Sequence, residues 1–271
     1  MRRLVDAFPA GARRKRLVTY LCVGDPDVDE SVELALACVD AGADVLELGC
    51  PFSDPTADGD TIARASQRAI AAGGGLTATL RACEAIRKRT EAPIVLFGYY
   101  NPIFVRGEAA FAASAASAGA DASLVVDLPV SAAADYRRAA IGAGIGVIPL
   151  VAPTSTDEHV RAIAEHAASS PFVYYVAVAG VTGGSSALSS LDSAADAAVS
   201  VRERSGRPTV VGFGIDSGER AARVAARGAD GVVVGSAIVR AIEEGKTSDA
   251  RRRDVAALVG SLRDALERAA S

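Results

Sequence analysis

The sequence predicts an α/β fold of the eight-stranded parallel (β/α)8 class, the TIM barrel, with a short extra helix at its N-terminal end. Three observations predict it. Eight short apolar runs alternate with segments of helical spacing. Most of these runs are rich in Val, Leu and Ile on both faces, as strands covered on both sides must be. Three helical segments close on the same kind of phrase before the next run, Asp40-Ala-Gly-Ala-Asp44, Ser117-Ala-Gly-Ala-Asp121 and Ala226-Arg-Gly-Ala-Asp230. Such an echo is what a repeated strand–helix unit produces.

The eight runs are Leu17–Val23, Asp44–Gly49, Pro93–Gly98, Ala122–Asp127, Gly146–Val151, Phe172–Val178, Thr209–Gly212 and Gly231–Val234. Between them lie helices with recognisable starts. Asp27-Val-Asp-Glu-Ser leads into Val32-Glu-Leu-Ala-Leu-Ala-Cys-Val with acids in the first turn, and Ser155-Thr156-Asp157-Glu158 approaches a capping box. The glycines of the three echoing phrases suit the left-handed position just past a helix end. Eight units of this kind close most simply into a barrel. An open, doubly wound sheet would want a Gly-rich dinucleotide fingerprint after the first strand, and Val23-Gly-Asp-Pro-Asp stands there instead. Outside the repeats, Arg2–Phe8 reads as a helix covering the bottom of the barrel, and Asp249–Ala270 as the outer eighth helix. A length of 271 residues suits one such domain spanning 1–271.

Composition narrows the function. A net charge of −4 offers no basic footprint for nucleic acid or an anionic membrane. Cys22, Cys38, Cys50 and Cys83 show no paired spacing and read as small buried hydrophobes in a reducing compartment. The longest uncharged stretches are broken by Gly, Pro or Ser, so no membrane span is expected, and the basic cluster Arg13–Arg16 has no apolar signal segment beside it. A cytoplasmic protein is expected. No metal-ligand spacing appears.

In barrels of this class chemistry sits at the C-terminal ends of the strands. Glu47, in Val45-Leu-Glu-Leu-Gly49, is the clearest polar residue at such an end. Alternation puts Glu47 and Gly49 on one face, and Gly49 is expected to leave the carboxylate room to look into the mouth. A carboxylate in apolar surroundings has a raised pKa, which suits a general acid–base. The loop Cys50–Asp60 then brings three more acids, Asp54, Asp58 and Asp60, at least one of which should lie near Glu47. Two carboxylates on one substrate allow one to move a proton while the other steadies positive charge. Gly212-Phe-Gly-Ile and Gly235-Ser-Ala-Ile follow the last two strands, where barrels often hold phosphate on backbone N–H groups and a helix N-terminus. Gly180-Val-Thr-Gly-Gly-Ser-Ser reads as a closing loop. No Lys stands at a strand end for a Schiff base, which argues against an imine-forming aldolase. His159 and His166 are expected at the surface. Asp127, at the end of the fourth strand, fits a structural hydrogen bond, a partner contact or catalysis.

The run Leu46-Glu-Leu-Gly-Cys-Pro-Phe-Ser-Asp-Pro-Thr-Ala-Asp-Gly59 closely resembles the signature of the tryptophan synthase alpha subunit family. The resemblance continues in order through Val23–Pro26, Tyr99–Pro102, Asp127–Pro129, Ala152–Thr154, Gly180–Gly183, Gly212–Gly214 and Gly235–Ile238. It implies a lyase that splits indole-3-glycerol phosphate into indole and glyceraldehyde 3-phosphate in a retro-aldol step, within tryptophan biosynthesis. The resemblance places the acid–base on Glu47, which would take the glycerol hydroxyl proton and help protonate the indole ring carbon. It places the group that stabilises the charged indole N–H on Asp58. The phosphate would rest on Gly183, Gly214, Gly235 and Ser236. Thr182 would sit on the closing loop and help position Asp58, while Tyr20, Phe97, Tyr174 and Phe213 would line the indole pocket. The resemblance implies no cofactor in this chain and a pyridoxal-phosphate beta subunit as partner in an alpha2beta2 assembly, facing the loop around Asp54 and the segment Asn101–Phe104. The family commonly carries an Arg soon after Gly183, whereas this chain reads Gly184-Ser-Ser-Ala187. A stand-alone lyase releasing free indole, and a weakly active barrel that chiefly activates a beta subunit, are the alternatives.

Overall fold

A computed structural model describes residues 1–9, 11–166, 170–176, 187–212 and 214–270 of the chain. In order, the described elements are α1 (Arg2–Ala7), β1 (Arg16–Cys22), α2 (Val28–Asp40), β2 (Val45–Gly49), α3 (Asp60–Ala71), α4 (Leu76–Arg87), β3 (Ile94–Gly98), α5 (Tyr100–Arg106) and α6 (Glu108–Ser117). They continue with β4 (Ala122–Val125), a 3-10 turn (Val130–Ala132), α7 (Ala134–Gly142), β5 (Gly146–Val147), β6 (Leu150–Val151), α8 (Asp157–Glu165) and β7 (Val173–Val176). The last are α9 (Ala187–Ser205), β8 (Thr209–Gly212), α10 (Gly218–Ala226), β9 (Gly231–Val234), α11 (Ser236–Glu244) and α12 (Ser248–Ala270).

Every described strand pairing is parallel, and the sheet order is β5-β4-β3-β2-β1-β9-β8-β7-β6. The two ends of that order are neighbours in the chain. The run expected as one fifth strand, Gly146–Val151, is split in two at Ile148-Pro149, because Pro149 has no N–H to give to a ladder. Hydrogen bonding still passes through the break. Ile148 N–H donates to Ser123 at 2.9 Å on one side, and Pro149 accepts from Tyr174 N–H at 3.0 Å on the other. The sheet therefore curls until both its ends reach one segment, which excludes the open, doubly wound order.

Alternation along each strand divides the apolar residues into two clusters. Val18, Val45, Val95, Leu124, Ile148, Phe172, Val210 and Val233 pack together on the inner side, joined from below by Leu4 and Phe8. The Phe8 and Phe172 rings lie 4.9 Å apart. The outward residues, such as Leu17, Leu46, Leu48, Ile94, Leu96, Val211 and Val232, pack against apolar faces of the helices.

Local signals start the helices where the sequence places them. Asp27 accepts from Glu30 N–H at 2.8 Å at the start of α2, and Thr156 accepts from His159 N–H at 3.2 Å at the start of α8.

The three echoing phrases turn out to do more than end helices. Gly42, Gly119 and Gly228 all have positive φ, at 106°, 85° and 107°. Each following Asp bonds the start of the neighbouring strand twice. Asp44 N–H donates to the Leu17 carbonyl while its carboxylate accepts from Leu17 N–H at 2.8 Å. Asp121 does the same with Ile94, accepting at 3.1 Å, and Asp230 with Thr209, accepting at 2.8 Å. An Arg then lies beside each carboxylate: Arg263 on Asp44 at 2.8 Å, Arg87 on Asp121 at 3.0 Å and Arg202 on Asp230 at 3.2 Å. The absent side chain of the glycine matters twice over. A Cβ on Gly42 would stand 2.8 Å from Arg263 Cγ, and one on Gly119 would stand 2.5 Å from Arg87 Cγ.

The brace at Asp121 is the most deeply buried, with 1% of the side chain exposed. Asp121→Ala should cost about 3–5 kcal/mol of unfolding free energy, because it strands a half-buried guanidinium and an unpaired strand N–H. Glu33→Ala, which breaks an exposed pair with Arg89, should cost less than about 1 kcal/mol. Denaturant titration of both variants checks the ranking; equal losses would refute it.

Candidate active site

At the C-terminal end of the strands the inner layer changes from aliphatic to polar and aromatic. Tyr20 stands opposite Glu47 in the β1–β2 register, and Gly49 stands opposite Phe97 in the β2–β3 register. The space expected above Gly49 is filled. A Cβ there would meet the Tyr20 hydroxyl oxygen at 2.3 Å, so the ring of Tyr20 lies over the end of β2. Tyr20 in turn meets Phe97 edge to face at 5.2 Å. The same arrangement recurs across the sheet. Tyr174, two residues before the partner of Gly212, covers that glycine so closely that a Cβ would lie 2.0 Å from its hydroxyl. Two tyrosines thus lean over the strand-ending glycines of their neighbours and wall the mouth.

Between them a cavity of about 450 Å³ opens, lined by Tyr20, Glu47, Asp58, Phe97 and Tyr174 and by Gly214, Asp216, Gly235, Ser236 and Arg240. Glu47 is 1% exposed, and neither of its carboxyl oxygens has a hydrogen-bond partner among the described residues. Burial without a partner pushes its pKa up to about 8. A carboxyl in that state is mostly protonated at neutral pH. It can give a proton and then take one back.

Asp58 lies on the loop between β2 and α3 and is half-buried. Burial raises its pKa to about 6, and a hydrogen bond with Tyr99 opposes the rise. Tyr99 also accepts from Ala57 N–H at 3.0 Å and stacks on Phe52 at 5.0 Å, so it holds the stretch of loop that leads into Asp58. The two carboxyls therefore sit in one cavity with different proton affinities. Near neutral pH one is mainly acid and the other mainly carboxylate. The Tyr20 and Tyr174 phenols are pushed well above their ordinary pKa, by burial first and by Cys22 or the two acids after it. They stay neutral.

Also on the cavity lining, Ser236 opens α11, with Gly235 as its N-cap residue. The first-turn N–H groups have no partner within the helix, and the helix dipole favours an anion there. Gly214, with φ 72°, lines the same cavity.

The structure thus brings together Glu47, Asp58, Tyr20, Phe97, Tyr174, Gly214, Gly235 and Ser236 from six strand ends or the loops that follow them. Thr182, Gly183 and Phe213 lie outside the described residues. Asp127, expected to end the fourth strand, lies past it and accepts from Tyr100 N–H at 2.7 Å, which caps the start of α5. The histidine expectation needs correction. His159 is only partly exposed, and its ring Nε2 lies 3.1 Å from the Leu150 carbonyl at the broken strand, where half a ladder leaves an acceptor open.

Sequence reasoning did not single out Tyr99, Asp216 or Arg240. Tyr99 could have been found, since it directly follows the third strand. Arg240 lies a full turn inside a helix, where an arginine gives no signal of its own. Among the described residues no group of His, Cys, Asp or Glu could hold a metal ion, and no described helix is long and apolar enough to cross a membrane.

Comparison with known proteins agrees with this geometry. Residues 10–267 match the family model described as tryptophan synthase alpha chain. A tryptophan synthase alpha chain from Geobacter sulfurreducens is 47% identical over 253 residues, covering 93% of this chain and 94% of that one. The crystal structure of tryptophan synthase subunit alpha from Legionella pneumophila superposes with a TM-score of 0.87 at 36% identity, covering 98% of both chains. A structure of the tryptophan synthase a2b2 complex from Pyrococcus furiosus gives a TM-score of 0.82 at 35% identity, covering 92% of this chain and 98% of that one. With the family model spanning almost its whole length and relatives this similar, the chain belongs to the tryptophan synthase alpha chain family.

Proposed function

We propose that this chain is the indole-3-glycerol phosphate lyase of a tryptophan synthase, a single closed (β/α)8 barrel over 1–271 with α1 as its lower plug. It acts in the cytoplasm with a pyridoxal-phosphate beta subunit in an alpha2beta2 assembly and needs no cofactor of its own. The observation that carries the reading is the buried carboxyl of Glu47, with no hydrogen-bond partner among the described residues, sharing one cavity with Asp58.

The chemistry follows from those two carboxyls. The bond to be broken joins the indole ring carbon to the hydroxyl-bearing carbon of the glycerol. Glu47, protonated at the start, gives its proton to the ring carbon, and the positive charge that develops on the ring nitrogen is steadied by the Asp58 carboxylate accepting from the indole N–H. Glu47, now a carboxylate, takes the proton of the glycerol hydroxyl. The O–H electrons form the aldehyde carbonyl, the carbon–carbon bond breaks, and its electrons restore the aromatic ring. Indole and glyceraldehyde 3-phosphate leave, and Glu47 ends as it began, protonated. Tyr20, Phe97, Tyr174 and Phe213 flank the indole. Gly183, Gly214, Gly235 and Ser236 receive the phosphate, with Thr182 helping to position Asp58. The beta subunit has a surface to meet: Phe104 is 66% exposed at the end of α5, and Asp54 is exposed on the neighbouring loop.

Glu47→Gln should lower kcat about 10²–10⁴-fold in an assay of indole release. Asp58→Asn should lower it about 10²–10³-fold. Wild-type turnover in the glutamine variant would remove the reading. The rate needs Asp58 ionised and Glu47 protonated, so kcat/KM should be bell-shaped, falling below about 6 and above about 8. A flat profile across pH 5–9 would contradict these roles.

Stability should carry the same signature. Between the ordinary value of 4.5 and about 8, the unfolded chain has lost the Glu47 proton while the folded chain keeps it. Stability is therefore lost as pH rises through this window, by up to about 1.4 kcal/mol per unit. Glu47→Gln lacks this penalty and should gain on the wild type from pH 5 to pH 8. Parallel denaturant titrations check the widening gap; a constant difference would count against a neutral buried Glu47.

A further inference from the structure

The lining of the cavity carries one basic side chain. Among the described lining residues Arg240 is the only Lys or Arg, set against three acids, Glu47, Asp58 and Asp216. Arg240 lies four residues after Ser236 on α11, so the two share a helix face about 6 Å apart along the axis. The backbone N–H groups at the top of that helix carry only partial charge, and a phosphate dianion also needs a full one. The segment 177–186 cannot bring it. Its sequence, Ala-Val-Ala-Gly-Val-Thr-Gly-Gly-Ser-Ser, contains no Lys or Arg.

The surroundings of Arg240 leave it available. Its guanidinium comes within 4.0 Å of Asp216, at the limit of an ion pair, and 42% of its side chain is exposed. Asp216 has a nearer partner: Arg220 reaches it at 3.1 Å and holds the Gly214 carbonyl at 2.9 Å as well. Asp216 is thus tied to α10, and Arg240 is held loosely at the rim of the cavity. The same cavity contains the buried carboxyl of Glu47, with no hydrogen-bond partner among the described residues, so it is built to receive a ligand that meets both.

We propose that Arg240 is the side-chain ligand of the substrate phosphate, released from Asp216 when the dianion arrives, and that Asp216 sets how tightly phosphate is held. The inference rests on the lyase reading for its substrate, but the residue pair makes a claim of its own. Arg240 acts on binding, so its loss should move KM and leave kcat within about twofold. A guanidinium gripping a phosphate through two charge-assisted bonds makes Arg240→Ala about tenfold weaker in KM. Arg240→Lys recovers part of the loss as a point charge. Asp216→Asn removes the competing acid and tightens KM about twofold. The wild-type KM should also rise more steeply with salt than that of the alanine variant.

Two measurements on the full chain separate this idea from the reading beneath it. Calorimetric titration with glycerol 3-phosphate needs no turnover. About tenfold weaker binding to Arg240→Ala, partial recovery in Arg240→Lys and tighter binding to Asp216→Asn support the assignment. Equal affinities of the wild type and Arg240→Ala overturn it, whatever the enzyme catalyses. Indole release by the wild type and Glu47→Gln decides the lyase reading separately. Glu47-dependent turnover combined with an unchanged KM in Arg240→Ala would leave the lyase standing and discard the role of Arg240.

Discussion

A buried carboxyl group without a hydrogen-bond donor among the described residues is the constraint around which the upper half of this molecule is arranged. Glu47 can stay there because desolvation keeps it neutral at ordinary pH, which avoids the several kcal/mol that a buried unpaired charge would cost. A donor close by would have lowered that affinity and returned the group to an ordinary carboxylate. The neighbours comply. Val95 faces Glu47 from β3, and the two tyrosines near it turn their rings over Gly49 and Gly212, their hydroxyls giving no hydrogen bond to Glu47. Either glycine could not become alanine without displacing a ring. The glycines are thus part of the site although they touch no substrate.

Rigidity below makes this arrangement tenable. Asp44, Asp121 and Asp230 each bind the start of an adjacent strand through both backbone and side chain and are neutralised by an Arg from a packed helix. These charges sit at the opposite end of the strands from the cavity. They fix strand register where nothing has to move. Their carboxylates are satisfied and Glu47 is not, which separates an acid that holds the fold from an acid kept for chemistry.

Much of this was legible in the sequence. The eight apolar runs fall on the strands, and the signature around Glu47 and Asp58 names two residues that share one cavity, because strand ends and loop acids are local features. What escaped depends on distant partners. Asp44, Asp121 and Asp230 were visible as the ends of a repeated phrase, yet their arginines come from helices as far away as α12, so the brace could not be read from spacing. The break at Pro149 was visible but was absorbed into a six-residue run, although a proline without an N–H was reason to split it. His159 looked like a surface residue because helical position says nothing about an unsatisfied carbonyl on the next strand. Arg240 was hidden for the same reason: an arginine inside a helix becomes informative only when the fold shows that its face opens into a cavity.

The cavity that results is lined by two kinds of group. Glu47 and Asp58 offer a proton and a carboxylate that together suit a ring nitrogen about to become positive. Ser236 and Arg240 offer a helix N-terminus and a guanidinium suited to a dianion. A molecule carrying a phosphate at one extremity and an N–H donor at the other gains from both in only one orientation. Reversed, it would set the phosphate beside Glu47 and Asp58, where like charge and desolvation both oppose it. Orientation is therefore decided by charge before any shape of the indole pocket is consulted, and it delivers the scissile bond to the one carboxyl that still has a proton to give.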